Sequence, residues 1–217
     1  QLADAPPITE LPTDYPRSTV ETFHGSIHRF RLGNHLTNKL KRLSQKSGTS
    51  LFMTLQAAFV TFLYRYTGQE DIIIGSPITN RNRQALESLI GFFVNTLVLR
   101  TRLENNPTFK QLLSQVRQVS LDGYVHQELP FDILVEALQP KRQKNLSPLF
   151  QVMFVLQNSP REQFNLPGLN VTQMELNRPT AGATFDLTLS MQEVNLELIG
   201  AFEYNANLFD ATTIARM

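Results

Sequence analysis

Residues 51–66 carry Leu51, Phe52, Leu55, Ala58, Phe59, Phe62 and Leu63, which spread apolar surface over most sides of a helix. A helix of that kind must be enclosed by other elements rather than laid on a surface. Ser50 offers it an N-cap and Gly68 a stop. Residues 71–75 follow at once as Asp-Ile-Ile-Ile-Gly, a short β-branched run between turn residues that predicts a buried strand. An enclosed helix next to an enclosed strand requires stacked layers, and 217 residues allow one sizeable core or one large lobe of something bigger.

The other segments extend the layers. Alternation over 26–32 predicts a strand, and Leu36, Leu40 and Leu43 predict an amphipathic helix with Asn34 as N-cap and Gly48 as its end. A strand is expected over 96–102. A helix after Pro107 follows, with Phe109, Leu112, Leu113, Val116 and Val119 as its apolar residues. Pro130 opens a short helix over 131–138, which Pro140 ends. Strands are expected over 150–156, 169–176, 185–192 and 196–204, with Pro160, Pro167 and Pro179 in the turns between. The fold class is therefore α/β, a mixed α+β sandwich with at least one large sheet. Residues 1–25, with Pro6, Pro7, Pro12 and Pro16, form a connector, and residues 26–217 form the lobe.

Several function classes fall away. Lys and Arg number 20 against 19 Asp and Glu, and no basic run exceeds two residues, so there is no basis for nucleic-acid binding. The absence of cysteine removes disulfides, thiolate metal sites and thiol nucleophiles, and is compatible with a cytoplasmic setting. No apolar run approaches the roughly 20 residues that span a bilayer. The start, Gln1-Leu-Ala-Asp-Ala-Pro-Pro, is no signal peptide, and the lack of an initiator Met points to an excised segment.

Candidates for chemistry are few. His24 and His28 are spaced for a helical metal pair, but the segment reads as strand and offers no third ligand. His35 opens an exposed helix. His126 and Asp132 flank Pro130 and Phe131 between two helices, where they cap helix ends while Phe131 enters the core. Arg81 and Arg83 follow the buried strand and are placed either to meet a carboxylate or to lie in an exposed loop. Phe92, Phe93, Phe131 and Phe150 are expected in the core. No nucleophile elbow, phosphate loop or dinucleotide fingerprint occurs.

Ile90-Gly-Phe-Phe-Val-Asn-Thr96 with Arg100 matches every fixed position of I-G-x-F-V-N-T-x-x-x-R, and so resembles nonribosomal peptide synthetase condensation domains. His126-Gln-Glu-Leu-Pro-Phe-Asp132 is similar to that family's H-Q-D-x-P-F-E. Arg142-Gln-Lys-Asn-Leu-Ser-Pro-Leu149, containing Pro148, is similar to R-D-x-S-x-x-P-L, departing at Gln143 and Asn145. Leu11-Pro-Thr-Asp-Tyr-Pro-Arg17, Tyr66-Thr-Gly-Gln-Glu-Asp71, Phe185-Asp-Leu and Tyr204-Asn-Ala-Asn-Leu-Phe-Asp210 lie in family order around them. The active-site motif H-H-x-x-x-D-G occurs nowhere in these residues.

The resemblance implies the second lobe of a two-lobed, chloramphenicol-acetyltransferase-like domain, a mixed sheet covered by helices. It implies amide formation, in which an amine attacks a thioester and both partners ride on phosphopantetheine arms. No cofactor is held directly. The implied partners are the N-terminal lobe, upstream and downstream peptidyl carrier proteins and an adjacent adenylation domain. Gly91, Asn95 and Thr96 would line the channel, with Gly91 permitting close backbone approach. For Asn95 the residues alone also allow an amide that serves backbone groups at the strand end. Arg81, and secondly Arg17, would make the salt bridge to the missing motif's Asp. Without that motif the chain is expected to be inactive alone, and the face it would turn to the other lobe is expected to be apolar. Two alternatives remain at this point: a lobe of a related acyltransferase or epimerising domain, and a non-catalytic module that docks carrier proteins.

Overall fold

A computed structural model describes residues 2–6, 8–18, 24–81, 84–140, 146–157, 168–169 and 182–217. Strand β1 spans Gly25–Leu32, helices α1 and α2 span Asn34–Lys46 and Leu51–Thr67, and β2 spans Asp71–Ile78. A short helix α3, Gln84–Glu87, precedes β3, Asn95–Arg102. Helices α4, Phe109–Val125, and α5, Phe131–Leu138, follow. Strands β4, Val152–Gln157, β5, Leu187–Val194, and β6, Glu197–Asn205, lead to α6, Ala211–Arg216.

The strands form one six-stranded mixed sheet in the order β1-β6-β5-β4-β2-β3. The β4–β5 and β2–β4 pairs are parallel and the other three antiparallel. Helix α2 lies against the sheet between α1 and α4. Its Leu55, Phe59, Val60 and Leu63 join Ile72, Ile74, Val152, Phe154, Leu187 and Leu198 in one core. Ser50 caps α2 by accepting from the Met53 N–H, and Gly68 ends it in the left-handed conformation at φ 70°. Of the residues expected inside from α2, Ala58 is exposed; the buried polar Thr54 and Gln56 take inward positions instead, meeting Ser44 and Ser120.

Helix α1 starts one residue earlier than its sequence pattern indicates. Gly33, extended at φ −64° and ψ 164°, is the N-cap, and Asn34 is already helical. Thr37 explains the shift, because its hydroxyl donates to the carbonyls of Leu32 and Gly33 and ties off the strand end there. Helices α3 and α6 have no counterpart in the sequence pattern, since four and six residues are too few to print a period. The strand expected over 169–176 lies outside the described residues, Leu169 aside, as do Pro160, Pro167 and Pro179.

The stretch expected as a connector is bound along one end of the sheet. Arg100 on β3 donates to the carbonyls of Ala3 and Asp4 at 2.6 and 3.0 Å. Gln69 accepts from the Glu10 N–H at 2.8 Å and donates to the Ile8 carbonyl at 3.1 Å. Buried Gln151 accepts from the Thr9 N–H at 2.8 Å. The N–H groups of Asp14 and Tyr15 both donate to the Leu208 carbonyl, and the Asp14 carboxylate accepts from Asp210 N–H and the Thr213 hydroxyl. Arg17 grips Asp186 with both terminal nitrogens. Arg100, Gln69, Gln151 and Asp14 each satisfy a backbone group that strand pairing leaves open.

Arg100 is the deepest charge in this array, with its side chain 5% exposed. It forms a forked pair with Asp71, Nη2 to Oδ2 at 2.6 Å and Nε to Oδ1 at 2.9 Å. Those bonds hold the guanidinium above its ordinary pKa range. Arg100→Leu should lower unfolding free energy by about 2 kcal/mol, because it removes the forked partner of Asp71, leaving only the longer 3.6 Å contact to Arg102, and frees two carbonyls. Urea denaturation of the two proteins measures this, and a loss within experimental scatter would refute it.

The second sheet face is filled near β2 by the ring of Phe150, which lies where a Cβ on Gly75 would have to be. Toward β1 the same face is half exposed. One row there runs Ile27, Glu203, Thr188, Met153 across four strands. Burial pushes the Glu203 carboxyl up from its ordinary pKa. A raised carboxyl costs stability only when ionised, so its penalty is absent below about pH 4.3 and grows as pH rises through the folded value. Glu203→Gln should therefore match the parent's Tm in acid and exceed it at neutral pH. Equal Tm differences at pH 4 and pH 7.5 would contradict the assignment.

Candidate functional site

Strand β3 starts at Asn95, and its pleat sends the side chains of Asn95 and Thr96 to opposite faces of the sheet. Thr96 shares the Phe150 face through its pairing with Pro77. Asn95 turns the other way, toward the bend between α4 and α5. Its Nδ2 donates to the carbonyls of Gln127 and Leu129, both at 2.8 Å, and its Oδ1 accepts from the Phe131 N–H at 3.1 Å. Both amide hydrogens and one acceptor position are thus committed to three backbone groups of the 126–132 motif.

That motif turns the chain between two helices. His126 is the C-cap of α4, with its N–H on the Gly123 carbonyl, and Pro130 is the N-cap of α5. Both His126 and Asp132 are exposed. Asp132 stands in the first turn of α5, where a carboxylate meets the positive end of the helix. Phe131 is half-buried and edge-on to Phe150, with ring centroids 5.6 Å apart, and Phe150 stacks on Phe185 at 5.2 Å. The Pro148 carbonyl accepts from the Phe150 N–H at 2.9 Å and helps to set that ring. Two of the sequence motifs therefore meet, through Phe131 and Phe185, on the ring of Phe150, which directly follows a third. Arg142 and Arg83 lie outside the described residues.

The segment between β2 and β3 folds back on itself. A Cβ on Gly91 would come within 3.0 Å of the Phe93 ring, so glycine leaves room for that ring. The Arg81 guanidinium lies over the Phe93 ring, 4.3 Å from its centroid, and also donates to the carbonyls of Leu86 and Glu87. Among the described residues no carboxylate pairs with Arg81. Phe93 is half-buried under Arg81, but Phe92 does not enter the core as expected: it is 91% exposed, and Ile90 is fully exposed. The turn gives its one inward position to Phe93, so Ile90 and Phe92 flank it on the outside. With Leu89 and Val94 they make an apolar ridge continuous with the signature asparagine.

Arg17 is placed at the opposite end of the sheet, and its guanidinium is engaged by Asp186. His24 and His35 are exposed and His28 half-exposed. No group of three His, Cys, Asp or Glu side chains converges among the described residues. Sequence reasoning misses Gln69, Gln151 and Asp14 as structural residues, although Gln69 and Asp14 stand inside two of the family motifs. Their partners lie 59 to 199 positions away, a pairing that no local pattern carries. No helix is long and apolar enough to cross a membrane among the described residues.

Comparison with known proteins bears on the family and the fold. A family model described as Condensation domain matches residues 1–217. A linear gramicidin synthase of Brevibacillus parabrevis is 49% identical over 217 residues, covering all of this chain and 4% of that protein. Malpibaldin synthetase of Mortierella alpina is 46% identical over 215 residues, covering 99% of this chain and 4% of that protein. The chain thus spans a small fraction of the curated relatives it matches. Among solved structures, the X-domain from teicoplanin biosynthesis superposes with a TM-score of 0.89 at 25% identity, covering 99% of this chain and 49% of that one. A four-domain nonribosomal peptide synthetase bound to AMP and glycine gives 0.88 at 27% identity, covering 97% of this chain and 17% of that one. With its motifs in order, its sheet and helices matched and the family model spanning its whole length, this chain belongs to the condensation-domain family.

Proposed function

We propose that this chain is the C-terminal lobe of a peptide-bond-forming condensation domain and supplies one wall of the tunnel in which an acceptor amine attacks a donor thioester. The observation that carries the reading is the junction at the start of β3. Two family motifs lock together there and present exposed Ile90 and Phe92 beside them. A ridge of that kind is suited to a second body. The match to about half of the solved X-domain chain supports a second lobe as that body.

Thioester and amine both arrive on the phosphopantetheine arms of carrier proteins, and the neighbouring modules include an adenylation domain. Gly91, Asn95 and Thr96 belong to the wall, Gly91 through its open backbone, Thr96 through its hydroxyl and Asn95 from behind. Catalysis in such a tunnel rests on positioning, which converts an encounter between two carriers into a local reaction. Arg81 is assigned the salt bridge to the aspartate of H-H-x-x-x-D-G in the other lobe, since it lies on a partly exposed loop with no carboxylate of its own among the described residues. Arg17 is the second candidate, but it would first have to release Asp186. The chain alone has no condensation activity in this reading.

A binding-module reading is favoured by one observation. An X-domain that this chain resembles, at a TM-score of 0.86 and 26% identity, is described in a complex with OxyB. The deciding experiment mixes this chain with an N-terminal lobe carrying H-H-x-x-x-D-G and assays dipeptide formation between two loaded carrier proteins. Product is expected only with both pieces, and none after the two histidines are replaced. Turnover by this chain alone sinks the half-domain assignment. Lobes that bind each other but condense no substrate pair favour the module.

A further inference from the structure

We infer that Asn95 is a positioning residue, whose amide holds the 126–132 motif against the signature segment and which does not itself touch the reacting amine. The inference rests on the condensation reading only for its kinetic consequence; the clamp stands on geometry alone.

The turn between α4 and α5 leaves the carbonyls of Gln127 and Leu129 and the N–H of Phe131 pointing at one spot, and Asn95 answers all three. An asparagine is the smallest side chain that offers two N–H donors and an acceptor in one plane. Aspartate cannot replace it, because a carboxylate is acceptor-only and would face two carbonyl oxygens. Glutamine carries the same groups one carbon further out. The strand pleat adds a second, independent argument. Thr96 lies on the Phe150 face, so Asn95 looks away from whatever Thr96 looks toward.

The clamp matters because of what hangs on each side of it. Upstream, Val94 and the ridge of Ile90 and Phe92 leave β3 directly from Asn95. Downstream, the Phe131 ring sets the edge contact with Phe150, and Leu129 and Ile133 are exposed beside the bend. One amide thus fixes the ridge, the entry of α5 and the Phe131 ring as a unit. Releasing it lets the bend move against β3 while the core of α2 and the sheet stays intact.

The test uses the two-lobed domain with loaded carrier proteins and compares Asn95, Asn95→Ala, Asn95→Asp and Asn95→Gln. Amide hydrogen exchange over residues 127–133 is read beside the single-turnover condensation rate. We expect exchange there to quicken about tenfold or more in all three variants, with strands β4 to β6 unchanged. The condensation rate should fall in step, with Asp no better than Ala although it keeps one acceptor. Unchanged exchange with a lost rate would place Asn95 on the substrate and overturn the proposal. Faster exchange with an unchanged rate would overturn it too, by showing that the bend does not position the reaction. If a variant fails to fold, exchange in the Gln protein still reads the clamp. If the parent forms no dipeptide, the condensation reading fails while the exchange result judges the clamp by itself.

Discussion

A guanidinium enclosed to 5% exposure cannot be left without partners, and Arg100 organises one end of this molecule for that reason. Asp71 supplies the charge and two of the fork's acceptors. The carbonyls of Ala3 and Asp4 supply the rest and thereby pull the first residues of the chain across the sheet end. Once the N-terminal segment is held there, Gln69, Gln151, Asp14 and Arg17 lie in its path and bind it in turn. The segment is therefore structural, and the ends of β2, β3, β4, β5 and β6 are tied by hydrogen bonds that no strand pair provides.

The opposite end of the sheet follows a different logic. There backbone groups of the turns are bonded by side chains, by Asn95 across the α4–α5 bend and by Arg81 on the loop before β3. Apolar side chains are then left facing outward. The two ends thus differ: one is tied by long-range polar contacts, and the other leaves apolar side chains exposed.

The seven sequence motifs gain a physical meaning from these contacts. Leu11 to Arg17 binds the Phe185-Asp186 and Leu208–Asp210 stretches, Asp71 binds Arg100 of the signature, and Asn95 of the signature binds the motif of His126. Most are fasteners to another motif. His126, the residue that looks most like chemistry, is an exposed helix cap as expected, and Asn95, for which the sequence allows either a channel position or a backbone role, bonds three backbone groups. Residue type alone does not separate the two, since a side chain's role depends on which unpaired backbone groups happen to face it.

Periodicity and capping are enough to place α2, α5, β2 and β3 to within a few residues, because those signals are local: Ser50 and Gly68 at the ends of α2, Pro130 before α5, and three successive isoleucines in β2. The order of motifs is likewise legible as a family. Strand order, the parallel insertion of β4 between β2 and β5, and the burial of Arg100 are not legible, since they depend on pairs tens to hundreds of residues apart. Phe92 and Phe93 make the difference plain. The two are identical in composition and adjacent in sequence, and local pattern treats them alike. Only the fold decides that the Phe93 ring lies against Gly91 and Arg81 while Phe92 stays open to solvent, because burial is a property of what surrounds a side chain and not of the side chain itself.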